Sequence, residues 1–446
     1  MADILSTSTA ATLAVNGERL MQAIAIVGAI GALPDGGVRR LAFGPEDQQA
    51  RRVVGDWMRA VGMRTAIDAA GNLVGRYPGR YPKAPALATG SHLDTVPKAG
   101  IYDGAYGVLA GLEVVRTLHE QGLQLDHPLE VIVFADEERT MLGSKAMTGR
   151  ASPDAAHYAH PNYAPIQASV AAIGGSWAVL STAQRPPDSL AAFVELHVEQ
   201  GPVLEAAGVP VGLVTGIVGQ RRYLVTVVGQ ASHAGTTPMG MRQDALVAAA
   251  QMTLAVNRIA CFCDDMVSGD QVATVGSMVL TPNVVNTVPG RVELTVDMRD
   301  LSNESLDRMA AMLEEEAGAI AAETQTDIRI TPQLRNEPVP VSPHVYNAIA
   351  QVCGDLGLDA QPLPSRASHD AQIMASLTDM GMIFVPSQGG ISHAETEYTT
   401  PEQCVAGANV LLNTLLRLDQ HYQYDEAQPG TSADTVNSTP IGSHGG

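Results

Sequence analysis

Basic residues are scarce in this chain. Lys and Arg number 27 against 47 Asp and Glu, a formal net charge of −20 over 446 residues. Phosphate binding needs clustered Lys and Arg, and no basic stripe or block of like charge occurs, so a nucleic-acid partner is not expected. Cysteine is sparse too. Cys261, Cys263, Cys353 and Cys404 show no C-x-x-C spacing, which argues against a disulfide framework or a thiolate zinc site and for buried or inert thiols. No apolar run reaches membrane-spanning length. The stretch MQAIAIVGAIGAL is broken by glycines and follows Glu18 and Arg19, so it reads as a helix rather than a signal peptide. The expectation is a cytoplasmic protein with no membrane partner. No internal repeat is found.

What remains suits a folded globular protein. Hydrophobic residues at 45% and charged residues at 17% fit a globular chain. Its length exceeds one ordinary core, so two domains are expected. Residues 14–32 and 45–61 read as helices, the second entered through Gly44-Pro45-Glu46-Asp47. PALATGSHLD and LEVIVFADEE read as buried strands that end in functional groups. Between them AYGVLAGLEVVRTLHEQG carries Val108, Leu109, Leu112, Val115 and Leu118 at helical spacing. AAFVELHVEQG alternates, with Val194, Leu196 and Val198 on one face and Glu195, His197 and Glu199 on the other. Strand–helix–strand order predicts an α/β domain with its functional groups at strand ends.

Residues 214–332 read differently: a strand (RRYLVTVVGQ), a helix (RQDALVAAAQMTLAVNRIA), two strands (QVATVGSMVLT, RVELTVDMRD), a helix and a final strand. This β-α-β-β-α-β order predicts a ferredoxin-like domain inserted into the larger one. The α/β pattern then resumes with a helix near 343–356, the segment HDAQIMASLTDMG, the strand MIFVPS and a helix over 401–419. From Asp425 a Gly/Ser/Thr-rich tail (425–446) has a disordered composition.

In GSHLDTVPKAGIYDG, His-x-Asp follows a buried strand and a second Asp stands eleven residues after the His. Four further segments place a metal-competent side chain near a strand or loop end: Asp103 itself, Glu137-Glu138 in FADEE, His197 in ELHVEQG and His393 in GGISHAETE. Imidazoles and carboxylates in this number can hold two divalent ions around a bridging Asp. Such a pair polarises a carbonyl and acidifies water, and a spare Glu beside it serves as general base.

The order GSHxDT, DGxxGV, Glu-Glu after an apolar strand, ELHxEQGPVLE, ASHAGTTPM, NxxPGxVxxxxDxR, SHDA and ISHxExE resembles the hydantoinase/carbamoylase family of binuclear amidohydrolases, within the aminoacylase–metallocarboxypeptidase superfamily. The resemblance covers roughly residues 35–418. It implies a mixed-sheet α/β, zinc-aminopeptidase-like catalytic domain over 1–213 and 333–424, with 214–332 as a ferredoxin-like lid and dimerisation domain. His92 and His197 would hold one metal and Glu138 and His393 the other, with Asp103 bridging. Glu137 would be the general base and Asp94 would orient His92. Asn286 and Arg299 would bind the substrate carboxylate. Gln200 and His369 would contact substrate, and His233 would stabilise the oxyanion. The alternation agrees with that role for Arg299 without establishing it. Val292, Leu294, Val296 and Met298 take one face of its strand and leave the guanidinium on the other, where it could grip a carboxylate, though by itself the pattern reads as a solvated arginine on the open sheet face.

The resemblance further implies a homodimer with two divalent ions per subunit, zinc foremost, with manganese, cobalt or nickel as alternatives. It implies cleavage of the carbamoyl C–N bond of N-carbamoyl amino acids or a related ureido carboxylate, releasing ammonia and carbon dioxide. Allantoate-type hydrolysis, a dipeptidase or aminoacylase, and a catalytically silent metal-binding protein are the alternatives. Two departures stand out: Arg139 where the family usually has glycine, and Arg366 where a small residue is expected. His119, His127, His157, His160, His344, His421 and His444 sit in no motif and are expected at the surface.

Overall fold

The structure is a computed structural model that describes residues 12–261 and 271–424. The tail 425–446, Cys263 and His444 lie outside the described residues. Two compact units emerge: Met1–Val214 with Val341–Leu363 and His369–Gly446, and Thr215–Pro340 with Pro364–Ser368.

The first unit is a mixed α/β fold built on a mixed sheet. Its centre is four parallel strands in the order Leu129–Phe134, Ala86–His92, Leu190–Val198 and Asp379–Val385. Leu73–Tyr77 with Arg64–Ile67 at one end and Val211–Ile217 at the other extend it antiparallel. Every residue of LEVIVF and ALATGSH is buried, as strands covered on both faces require. Helix Ala105–Glu120 crosses between two of these strands and joins helices Gly17–Gly28, Pro343–Asp355 and Pro401–His421 in the main core. Gly107 lets it approach the sheet, because a Cβ there would lie 2.3 Å from the Leu196 carbonyl oxygen.

Some expectations shift. The helix expected over 14–32 spans Gly17–Gly28, capped by the Asn16 side chain and stopped before the left-handed Gly31. The alternating strand Leu190–Val198 is not half-exposed. Glu195 and His197 are buried like their apolar neighbours, because the segment around helix Asp370–Met374 covers their face and Ala371 N–H donates to Glu195. His127 is not a surface residue. It is buried, its Nδ1 against the Pro85 carbonyl and its Nε2 against that of Tyr422.

In the second unit, Gly219–Val228, Val272–Thr281, Arg291–Asp300 and Asp327–Asn336 form an antiparallel sheet ordered fourth, first, third, second. Helices Ala245–Cys261 and Asn303–Thr324 share a core with the strand residues Val292, Leu294, Val296 and Met298. A two-residue pair, Ser232–His233 with Thr287–Val288, stands apart from that sheet. No single described helix is long and apolar enough to cross a membrane.

Candidate metal centre

The carboxyl ends of the four parallel strands bring the first unit's polar residues together, as open α/β sheets do. His92 closes Ala86–His92, and Glu137 and Glu138 follow Leu129–Phe134. His197 lies near the end of Leu190–Val198, and His393 sits in the loop beyond Asp379–Val385. Asp103 precedes helix Ala105–Glu120. Among the described residues, two donor groups share this aspartate: His92, Asp103 and His197, and Asp103, Glu138 and His393.

Asp103 divides its two oxygens between them. Oδ1 lies 3.5 Å from His92 Nε2 and 3.1 Å from His197 Nε2, and Oδ2 lies 3.2 Å from His393 Nε2. His393 Nε2 is 3.6 Å from Glu138 Oε2. Four ligands placed tetrahedrally about an ion at ~2.1 Å stand about 3.4 Å apart, so these separations, which also suit hydrogen bonds, are compatible with a coordination shell. The imidazoles are aimed by their other nitrogens: His92 Nδ1 donates to the Asp94 carbonyl at 2.9 Å and His197 Nδ1 to the Val198 carbonyl at 2.8 Å. Both rings therefore present Nε2, the arrangement metal-binding histidines use.

Electrostatics also fits a cation. Burial pushes the Glu137 carboxyl well above the usual carboxylate range; His92 draws it back, while Asp370, Glu138 and Asp94 add to the rise. Burial, with the Asp103 charge, pushes Glu138 up to about 7. Burial likewise raises Asp94, Glu195 and Asp370. Asp103 goes the other way, because hydrogen bonds with His197, His393 and His92 together outweigh burial and hold its carboxyl well below the usual range. Asp94 Oδ1 and Glu138 Oε1 are buried without a hydrogen-bond partner among the described residues. Six crowded acids and two orphaned oxygens form a negative, desolvated pocket that a divalent cation would neutralise. The nitrogen and oxygen donors suit zinc, manganese, cobalt or nickel.

The surrounding residues refine the expectations. Asp94 holds His92 through its main-chain carbonyl rather than its carboxylate, whose Oδ2 instead accepts from Glu138 N–H at 3.2 Å. Glu137 Oε2 lies 3.6 Å from His92 Nε2, beside the donor cluster. Gln200 Nε2 donates to Asp103 Oδ2 at 3.0 Å. His369 is buried with its ring 4.6 Å from that of His197, and burial, then the neighbouring His197, lowers its proton affinity well below the ordinary value. Glu199 serves elsewhere, accepting from Val203 N–H and Leu204 N–H at the start of the helix Val203–Ala207.

Asp136, Gln200 and His393 all adopt left-handed backbone, with φ of 60°, 59° and 54°. Such conformations are uncommon outside glycine and cluster at functional sites. Arg139 meets the strain at Asp136: its Nε and Nη2 donate to the two Asp136 oxygens at 3.1 Å each, its Nη1 donates to the Tyr158 carbonyl, and its guanidinium sits 4.4 Å from the Tyr163 ring. This arginine braces the turn that carries the Glu pair.

Composition and motif reading missed several supporting residues. Arg51 pairs with Asp47 at 2.8 Å and donates to the Phe134 carbonyl just before the Glu pair. Ser91 Oγ donates to Glu195 Oε1 at 2.7 Å. Asp370 is buried among the acids, and its only sequence signal was adjacency to His369.

In the second unit His233 is exposed, and its Nδ1 accepts from Gly235 N–H at 3.1 Å and Thr236 N–H at 3.2 Å. The neutral ring therefore carries its proton on Nε2, for which no acceptor is found among the described residues. Asn286 is exposed beside it, its carbonyl accepting from Ala234 N–H. Arg299 projects from the face opposite the unit's core, paired with Asp297 at 2.8 Å and donating to the Arg366 carbonyl at 2.6 Å.

Comparison with known proteins agrees with this geometry. Residues 88–417 match the peptidase family M20/M25/M40. The chain is 41% identical over 413 residues to an N-carbamoyl-L-amino acid amidohydrolase of Geobacillus stearothermophilus, covering 91% of this chain and 99% of that one. It is 35% identical to an allantoate amidohydrolase of Bacillus subtilis (strain 168), covering 87% and 94% of the two chains. A solved amidase of the hydantoinase/carbamoylase family from Burkholderia multivorans superposes with a TM-score of 0.83 at 37% identity, covering 91% and 98%. The chain thus belongs to peptidase family M20/M25/M40, within its hydantoinase/carbamoylase group.

Proposed function

We propose that this protein is a metal-dependent amidohydrolase that cleaves the carbamoyl C–N bond of N-carbamoyl amino acids or a related ureido carboxylate, with two divalent ions per subunit, zinc foremost. The observation that carries this reading is the pair of donor groups joined through the two oxygens of Asp103. His92 and His197 would hold one ion, Glu138 and His393 the other. Bound there, the ions would supply Lewis acidity toward the ureido carbonyl and toward water.

The chain's own residues do the rest. Glu137, outside both donor groups yet beside them, takes the proton of the attacking water and delivers it to the nitrogen that leaves. Water adds to the ureido carbon, the C–N bond breaks, and the carbamoyl group ends as ammonia and carbon dioxide while the amine is released. His233, whose Nδ1 is occupied by two backbone N–H groups so that Nε2 carries the proton, donates to the developing oxyanion. Arg299 and Asn286 bind the substrate carboxylate. Gln200 and His369 complete the substrate contacts, and Asp94 fixes His92 through its carbonyl. The second unit acts as a ferredoxin-like lid and dimerisation module of a cytoplasmic homodimer.

Ammonia release from N-carbamoyl amino acids, allantoate, dipeptides and their amidated analogues tests the reading. Carbamoyl or ureido carboxylates should be cleaved, dipeptides should not, and amidation should weaken binding. Glu137→Gln should keep its metal by elemental analysis yet lose ~10²–10⁴-fold in turnover. A metal-free or fully active Glu137→Gln protein refutes the role given to this residue.

A further inference from the structure

We infer that Glu397 is a positioning residue that locks the bridging Asp103 and the His393 loop into one frame. Glu397 is 5% exposed and lies in a loop four residues beyond His393. Its Oε1 accepts from the main-chain N–H groups of both Tyr102 and Asp103, each at 3.1 Å. Its Oε2 accepts from Ser392 Oγ at 2.9 Å, and the same hydroxyl lies 3.2 Å from Asp103 Oδ2. One carboxylate thus grips the backbone on which the bridging aspartate sits. Through Ser392 it also reaches the bridging oxygen that faces His393.

The contact is close. A Cβ at Gly100 would lie 2.5 Å from the Glu397 Cβ, so this loop is seated directly on the glutamate. His393 has a left-handed backbone at φ 54°, a conformation that holds only where neighbours over-determine it. The Ser392–Glu397 hydrogen bond supplies such a tie immediately before His393. Without Glu397, two buried N–H donors lose their acceptor, and the loops bearing Asp103 and His393 are left joined through the single Ser392–Asp103 contact.

The chemistry separates a hydrogen-bonding role from a charge role. In Glu397→Gln the amide oxygen can still accept from both N–H groups. The amide nitrogen can donate to Ser392 Oγ, which releases the serine proton to Asp103. Every link survives without the charge. In Glu397→Ala all three hydrogen bonds of the carboxylate are lost and only the Ser392–Asp103 contact remains between the two loops.

This inference rests on the proposed reading of Asp103 as shared between two ions, and cobalt titration of the metal-stripped protein separates the two. Visible d–d absorbance and elemental analysis give the number of ions and their affinities. Wild-type protein that takes up fewer than two ions overturns the shared-aspartate reading itself. Given two ions in wild type, Glu397→Ala should bind at least one of them ~10–100-fold more weakly with an altered spectrum, as for other outer partners of metal ligands. Glu397→Gln should stay within a few-fold of wild type. Equal weakening of Gln and Ala variants, or wild-type binding by Ala, overturns the positioning role. If the Ala variant fails to fold, Ser392→Ala takes its place: it should lower cobalt affinity several-fold with its circular dichroism unchanged, and unchanged affinity overturns the inference.

Discussion

Gly104 offers a test that depends on backbone and donor geometry at once. Its φ of 65° and ψ of −51° fall near the rare, strained γ-turn region. An alanine there costs on the order of 1–3 kcal/mol in backbone strain alone. Its Cβ would also lie 2.4 Å from His92 Cε1. Ordinary carbon contacts are ~3.5–4.0 Å, so the imidazole must retreat by about 1 Å, whereas metal–ligand distances tolerate only ~0.2 Å. The Gly104 N–H that donates to His197 Nε2 at 3.2 Å would be disturbed as well. Gly104→Ala should therefore lower stability in urea by ~1–3 kcal/mol and weaken cobalt binding by at least ~10-fold. Gly122 is the control. It has a similar φ of 64° but nothing within 4 Å of its added Cβ, so Gly122→Ala should cost about 1 kcal/mol and leave metal affinity unchanged. Wild-type metal affinity in Gly104→Ala would refute the steric reasoning, and equal metal loss in both variants would show that stability, not the His92 contact, is being read.

Arg40 is fully buried and donates to the carbonyls of Leu93, Val27 and Ile30, tying the first helix to the loop after His92. Arg40→Met would strand the Leu93 and Ile30 carbonyls at ~1–3 kcal/mol each, while the Val27 carbonyl keeps the Ile30 N–H, so urea unfolding should shift by about 2–6 kcal/mol; unchanged or greater stability would mean that relief of the buried charge wins. Exposed apolar side chains in the second unit make association the expected outcome there. Leu254 and Val247 on helix Ala245–Cys261 and Val279 on the edge strand Val272–Thr281 are 61%, 48% and 61% exposed. Sedimentation velocity at micromolar concentration should report a dimer, and a monomer would remove the dimerisation role.

Much of the candidate site was legible in the chain because, once paired cysteines are excluded, side chains able to hold a divalent ion are mainly His, Asp and Glu, and here they fall where strands end. The apolar runs LEVIVF and ALATGSH, and the alternation in RVELTVDMRD, are direct consequences of covered strands and a one-sided core, and they read correctly at the level of residues. Helix ends were less legible. Residues 29–32 continue an apolar pattern, yet the left-handed Gly31 ends the helix locally.

Tertiary structure alone decided what lies beneath the ligands. His127 had no motif, but it is buried because two carbonyls distant in sequence converge on its ring. Nothing in HxD distinguishes the Asp94 carbonyl from its carboxylate as the partner of His92. Arg139 departs from the family pattern by sequence, yet in space it braces the strained Asp136. Glu397 joins Asp103 across 294 residues of chain. The identity of the candidate donors is set by side-chain chemistry, which the sequence states outright. Ligand position is set by long-range hydrogen bonds between loops, which have no periodicity and become visible only when the chain is folded.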